Sequence, residues 1–119
     1  MAKILVVEDT DLVRDLVSSA LEDEGHSVVQ AKDGREGLEL LLQNPDTDMI
    51  ITDFDMPKVN GYQLSKTVRE DPLYVAHKDK VIIGMTAATH DEWNPYITKQ
   101  IRKPFNPIEF LKLVAEYCK

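Results

Sequence analysis

The chain holds a single cysteine, Cys118, in 119 residues. One thiol can form neither an internal disulfide nor a thiolate metal site. A reducing, cytoplasmic setting is therefore the expectation. Basic residues are also scarce: 14 Lys and Arg stand against 21 Asp and Glu, a net charge of −7. Non-specific binding to nucleic acid or an anionic membrane needs a basic footprint, so neither is expected. Long hydrophobic runs are missing too. The stretch from Val81 to Ala88 falls far short of the roughly 20 residues that span a bilayer. The run Ile4 to Val7 meets Glu8 and Asp9 at once, which excludes a secretory signal there. No repeat, low-complexity tract or linker interrupts the chain, and its length suits one domain over residues 1–119 with a single core. Apolar residues at 43% and charged ones at 29% describe a globular chain, not a disordered one.

What is present is alternation. Ile4-Leu5-Val6-Val7, Val28-Val29, Met49-Ile50-Ile51 and Val81-Ile82-Ile83 are short runs of β-branched and apolar residues. Without polar alternation they read as strands buried on both faces, the habit of a parallel sheet. Strands are expected at 3–8, 27–31, 48–52, 80–85 and 100–102. Helical patterns lie between them, at 10–24, 34–43, 60–71 and 107–118. In the first, Leu12, Val13, Leu16, Val17, Ala20 and Leu21 share one face, and Gly25 suits the position after the last turn. Asp33 with Glu36 opens the second, whose inner face is Leu38, Leu41 and Leu42. Asn60 with Gln63 opens the third, which stops at Asp71-Pro72. Asn106-Pro107 opens the last. Residues 88–99 leave room for little more than a turn or two, because Pro95 breaks a longer helix. Strands alternating with helices imply right-handed βαβ units, a doubly wound α/β sheet with helices on both faces.

In such sheets ligands bind beyond the carboxyl ends of the strands. Those ends carry Glu8 and Asp9, then Asp53 with Asp55 two residues on, then Thr86, then Lys103-Pro104. Three carboxylates at neighbouring strand ends repel one another unless a cation sits among them. Oxygen-only ligands favour Mg²⁺ or Mn²⁺ over zinc, and Mg²⁺ leaves positions for phosphate oxygens. A lysine and a hydroxyl across the cleft suit those same oxygens. No Ser, Cys or His competes as a nucleophile at these ends, and carboxylates do attack phosphorus. Asp53, on the middle strand, is the natural acceptor. The alternative, that acids at strand ends are only helix N-caps, covers Asp9 alone better than the whole set.

These residues resemble the receiver domain of two-component response regulators, the CheY-like family. The matching pieces are Ile4-Leu5-Val6-Val7-Glu8-Asp9, Asp33-Gly34, Ile51-Thr52-Asp53-Phe54-Asp55-Met56-Pro57 with Asn60-Gly61, Thr86-Ala87, and Lys103-Pro104-Phe105. The resemblance spans essentially the whole chain. It implies a five-stranded parallel sheet in the flavodoxin-like order 2-1-3-4-5. It implies that Asp53 accepts a phosphoryl group from a phosphohistidine in a Mg²⁺-dependent reaction. Asp9 and Asp53 are the implied direct metal ligands, with Glu8 acting through water and Asp55 through its backbone carbonyl. Lys103 is the implied partner of Asp53 and of the phosphoryl oxygens, and Thr86 the switch hydroxyl. The Lys103–Pro104 peptide is implied to be cis. A histidine kinase or histidine phosphotransfer protein is the implied donor, and a downstream protein effector the implied reader. The chain is then a switch, not an enzyme beyond its own phosphorylation and dephosphorylation, and a monomer or a phosphorylation-dependent dimer.

Three departures from the family stand out. Gln100 occupies the position, three before the lysine, where an aromatic or His is common. The stretch from Thr86 to Lys103 is short, so the fourth helix is expected shortened or missing, with Trp93 and Tyr96 packing over the gap. Asp55 adds an acid beside the site. These departures leave room for a degenerate receiver acting as a constitutive scaffold. Asp53-Phe54-Asp55 also resembles the Asp-x-Asp of haloacid-dehalogenase-type phosphatases, but here the acidic pair precedes the motif and no cap fits the length. A flavodoxin-like cofactor binder is disfavoured, since no Gly/Ser/Thr-rich loop follows the first strand.

Overall fold

The computed structural model describes residues 1–118; Lys119, the last residue of the expected single domain, lies outside them. Five strands form, β1 Lys3–Val7, β2 Ser27–Ala31, β3 Met49–Asp53, β4 Val81–Thr86 and β5 Lys99–Arg102. They pair all-parallel in the order β2-β1-β3-β4-β5, as expected. Three α-helices, α1 Asp11–Asp23, α2 Gly34–Gln43 and α3 Gly61–Glu70, lie between strands, and α4 Pro107–Tyr117 follows β5. Two 3₁₀ segments, Pro72–His77 and Asp91–Tyr96, complete the chain.

The central strands are apolar on both faces because both faces are covered. On one, Ile4, Val6, Met49, Ile51, Ile83 and Met85 pack with Val17 and Leu21 of α1 and Phe110 and Val114 of α4. On the other, Leu5, Val7, Ile50 and Ile82 pack with Leu41 of α2, Leu64 and Val68 of α3, Tyr74 and Trp93. The helix starts follow their caps. Asp33 accepts from Glu36 N, Asn60 and Gln63 form a reciprocal capping box, and the Asn106 side chain accepts from Ile108 N and Glu109 N. Gly25 takes φ +93° after α1, as its position suggested.

Three apolar positions depart from the expected faces. Leu12 and Leu16 are 68% and 62% exposed, and Leu42 is exposed as well. Each belongs to the apolar arc of its helix, but the arc is wider than the sheet it covers. Val17, Leu21 and Leu41 take the buried centre and leave the flanks to solvent.

The expected shortening between β4 and β5 is what the fold displays: the 3₁₀ segment Asp91–Tyr96 stands where a fourth helix was in question. Trp93 fills the space and is fully buried. Its indole N–H donates to Gly61 O and Ser65 Oγ, both at 3.1 Å. The ring fits only because positions 61 and 84 are glycine. A Cβ at Gly84 would come within 2.6 Å of the indole, and one at Gly61 within 2.3 Å of Asp53 O and 2.7 Å of the indole. Tyr96 packs edge-on against Tyr62. Arg69 then ties the region down from α3. Its guanidinium donates to the carbonyls of Tyr96, Lys78 and Lys80 at 3.1, 2.8 and 2.6 Å. No sequence pattern announced that role for Arg69.

Candidate functional site

Four strand ends were expected to carry chemistry, and residues at three of them, those of β1, β3 and β5, meet in space. Parallel pairing puts Val7 beside Thr52, Asp53 beside Met85, and Thr86 beside Arg102. The residues that follow these positions therefore share one edge of the sheet. Carboxylate oxygens of Glu8, Asp9 and Asp53 lie within 4.8 Å of one another. Glu8 is fully buried, Asp53 nearly so, and Asp9 is open to solvent.

Lys103 reaches into this group. Its Nζ lies 2.6 Å from Glu8 Oε1 and 3.1 Å from Asp53 Oδ1. The lysine is aimed by its own backbone, since Lys103 N donates to Thr86 O and the Lys103–Pro104 peptide is cis. Glu8 is held on every side. Thr10 N donates to Glu8 Oε2, Glu8 N donates to Ala31 O, and Arg14 donates to the Glu8 carbonyl. Arg14 is a brace that sequence reasoning missed. It could have been noticed, because it sits one turn after the acidic pair and beside Asp11, which it also contacts.

The charges do not balance. Burial, and then the negative charge of Glu8, push the Asp53 carboxyl up to about 6, against the weaker downward pull of Lys103. Burial alone would lower the Lys103 ammonium. The hydrogen bond to Glu8 and the charges of Asp53 and Glu8 outweigh it and hold the ammonium above its usual value. Three carboxylates thus meet with one lysine that contacts two of them, and a carboxyl pushed upward by burial and a like charge is the mark of a site short of positive charge. The donor set is all oxygen, with an exposed ligand at its mouth. Both properties fit a hard divalent cation that keeps part of its water.

The remaining expected residues fall around this core. Thr86 is buried at the end of β4, but its hydroxyl is turned to its own chain: it donates to Ala88 O at 2.6 Å and accepts from Ala88 N at 3.2 Å. The Asp55 side chain is exposed in the loop after β3. Phe54, next to the central aspartate, stacks on the His90 imidazole with ring centroids 3.6 Å apart and meets Trp93 edge-on at 5.0 Å. His90 therefore lies close to the site, although its place in the sequence gave no sign of it.

A scan against known families matches the response regulator receiver domain over residues 4–115. The chain is 35% identical to a chemotaxis protein CheY homolog of Campylobacter jejuni, over 88% of this chain and 83% of that one. Among solved structures, chemotaxis protein CheY4 of Vibrio cholerae is 36% identical, with a TM-score of 0.85 and 98% of both chains covered. TrrA of Thermotoga maritima, solved in complex with Mg²⁺ and BeF, is 29% identical with a TM-score of 0.86, covering 98% of this chain and 99% of that one. With a family match over nearly the whole chain, a sheet in the order β2-β1-β3-β4-β5 and an acidic cleft at its carboxyl edge, this chain belongs to the receiver domains of two-component response regulators.

Proposed function

We propose that residues 1–119 act as one phosphorylation-switched signalling domain, with Asp53 as the phospho-acceptor. The observation that carries this reading is the meeting of Glu8, Asp9 and Asp53 oxygens within 4.8 Å, with Lys103 in contact with two of them. An Asp53 carboxylate oxygen attacks the phosphorus of a phosphohistidine in line. The P–O bond forms as the P–N bond breaks, and the imidazole nitrogen leaves with the electron pair and takes a proton from solvent. At neutral pH Asp53 is above its titration point of about 6 and is present mostly as the attacking anion. Lys103 holds the acceptor oxygen and then the transferred oxygens, which lowers the cost of bringing negative charge into the cleft.

Asp9 and Asp53 would hold Mg²⁺ or Mn²⁺ directly, the Asp55 backbone carbonyl would complete the protein's share, and Glu8 would act through water. When bound, the cation supplies positive charge that offsets the phosphoryl oxygens. Glu8 already spends one oxygen on Lys103 and the other on Thr10 N, which suits it to an indirect role. The Thr86 hydroxyl would turn to the phosphoryl group once it is attached. Water then hydrolyses the acyl phosphate and resets the domain.

The donor in this reading is a histidine kinase or histidine phosphotransfer protein, and the output is a contact with a downstream protein effector in the cytoplasm. The domain is a monomer or a phosphorylation-dependent dimer. No helix among the described residues is long and apolar enough to cross a membrane. The test is intact-protein mass after incubation with Mg²⁺ and a small phosphodonor. One phosphoryl adduct, lost in Asp53→Asn, is expected. No adduct with any donor would favour a constitutive scaffold, and sustained turnover of a nitrophenyl phosphate would favour a phosphatase.

A further inference from the structure

Gln100 stands on β5 where the family commonly carries an aromatic ring, and its carboxamide is fully engaged. Oε1 accepts from His90 N at 2.7 Å, while Nε2 donates to His90 O at 3.0 Å and to Asn94 Oδ1 at 2.8 Å. A grip on both the N–H and the C=O of one residue orients that residue as a strand ladder would. His90 is also held by its ring, which lies flat on Phe54 at an interplanar angle of 6°.

Residues 87–89 therefore form a short bridge with two fixed ends. One end is Gln100 on His90. The other is the Thr86 hydroxyl on Ala88. A hydroxyl has one proton to donate. Here it is spent on Ala88 O, so the same proton cannot serve an oxygen on Asp53. Turning the hydroxyl toward Asp53 means releasing the Ala88 carbonyl, two residues from the point where Gln100 pins the chain.

We infer that Gln100 is a positioning residue: by holding His90 it keeps the bridge in the arrangement that captures the Thr86 hydroxyl on Ala88, away from the acceptor carboxylate. This rests on the reading of Asp53 as the phospho-acceptor. The bridge is then a two-state element. Its unmodified state is held by amide hydrogen bonds from β5, and a phosphoryl group on Asp53 competes for the hydroxyl against that hold.

The test uses Mg²⁺ with beryllofluoride, the pair present in the Thermotoga structure. The single tryptophan, Trp93, serves as the fluorescent reporter, since it meets Phe54 edge-on. Affinities for Mg²⁺ alone and for Mg²⁺ with beryllofluoride are measured in the wild type, Gln100→Leu and Gln100→Glu. Gln100→Leu removes all three hydrogen bonds. It should leave Mg²⁺ affinity within about twofold while raising beryllofluoride affinity by about fivefold or more, the lower range of an allosteric coupling. Gln100→Glu keeps the acceptor for His90 N and loses both donors, and it should fall between. In a Thr86→Ala background the gain from Gln100→Leu should vanish, an outcome that general loosening of β5 would not produce. Equal beryllofluoride affinity in wild type and Gln100→Leu, a gain matched by Mg²⁺ alone, or a gain that survives Thr86→Ala would overturn the inference. A wild type that binds neither probe would instead overturn the reading of the acidic cleft, and the inference with it.

Discussion

The two halves of the carboxyl edge are built by different physics. On the side of β1 and β3, Glu8, Asp9 and Asp53 crowd like charges around one lysine. On the side of β4 and β5, the segment after Thr86 is held by Trp93 in a glycine-lined slot, by Gln100 on His90 and by Arg69 on three carbonyls. The first half crowds like charge that a bound cation would offset, so it costs the fold stability. The second half is packed and hydrogen-bonded, so it stabilises the fold. A switch needs both: a site whose charge state can change, and a neighbouring segment that holds one shape until it does.

The sharpest way to break this contrast is to remove the packing anchor. Trp93→Ala should cost about 3–5 kcal/mol, read from urea unfolding. A loss under about 1 kcal/mol would mean the 3₁₀ segment is held by its hydrogen bonds alone. Arg69→Met keeps the aliphatic stem but deprives the carbonyls of Tyr96, Lys78 and Lys80 of their donor. A cost of about 2–3 kcal/mol is expected, because hydrogen bonds to charged groups are the stronger class. Unchanged thermal stability would count against Arg69 as the tie between α3 and this region.

On the acidic side the sign reverses. The Asp53 carboxyl titrates at about 6 in the folded chain against 3.8 as its ordinary value. Its contribution to stability is therefore present below pH 3.8 and lost as the pH rises through 6. Asp53→Asn should stabilise the protein at pH 7 by roughly 1–3 kcal/mol, and the gain should shrink as the pH falls toward 4. Saturating Mg²⁺ should narrow the gap by stabilising only the wild type. Paired urea titrations with and without Mg²⁺ check this, and a destabilised Asp53→Asn would refute the charge argument.

The smallest effect is expected at His77. It is buried, its Nε2 lies 2.8 Å from Leu41 O, and its Nδ1 has no partner among the described residues. Burial lowers its pKa below the ordinary 6.5, with the charge of Lys80 acting in the same direction and the bond to Leu41 opposing. The unfolded chain then takes up the proton first, so stability is lost as the pH falls below about 6.5. Asp53 acts the other way over part of this range, so the measurement belongs in the Asp53→Asn background. There, His77→Gln should flatten the decline between pH 7 and pH 5.

Much of the fold was legible in the chain because its signals are local. Val- and Ile-rich runs, the caps Asp33, Asn60 and Asn106, and Gly25 each declare a backbone state through their own chemistry. The acidic cleft was legible for a related reason: once the strands are parallel, the residues after their last positions must share an edge. Leu12, Leu16 and Leu42 misled because periodicity reports which side of a helix is apolar, not how much of that side a neighbour covers. Arg69 was silent because its partners are backbone carbonyls from other segments, which leave no mark in a side-chain pattern, and Gln100 stood out as a departure from the family while its grip on the His90 backbone did not show.

The sequence by itself determined the strand-and-helix alternation, the parallel sheet and the set of acids, hydroxyl and lysine at its edge. Each follows from periodicity, capping and the chain's directional order. Only the tertiary structure decided that Glu8 is the closer partner of Lys103, that the Thr86 hydroxyl is turned to Ala88, and that Gln100 grips His90. Those choices depend on distances of a few tenths of an ångström between residues far apart in the chain, and packing sets such distances.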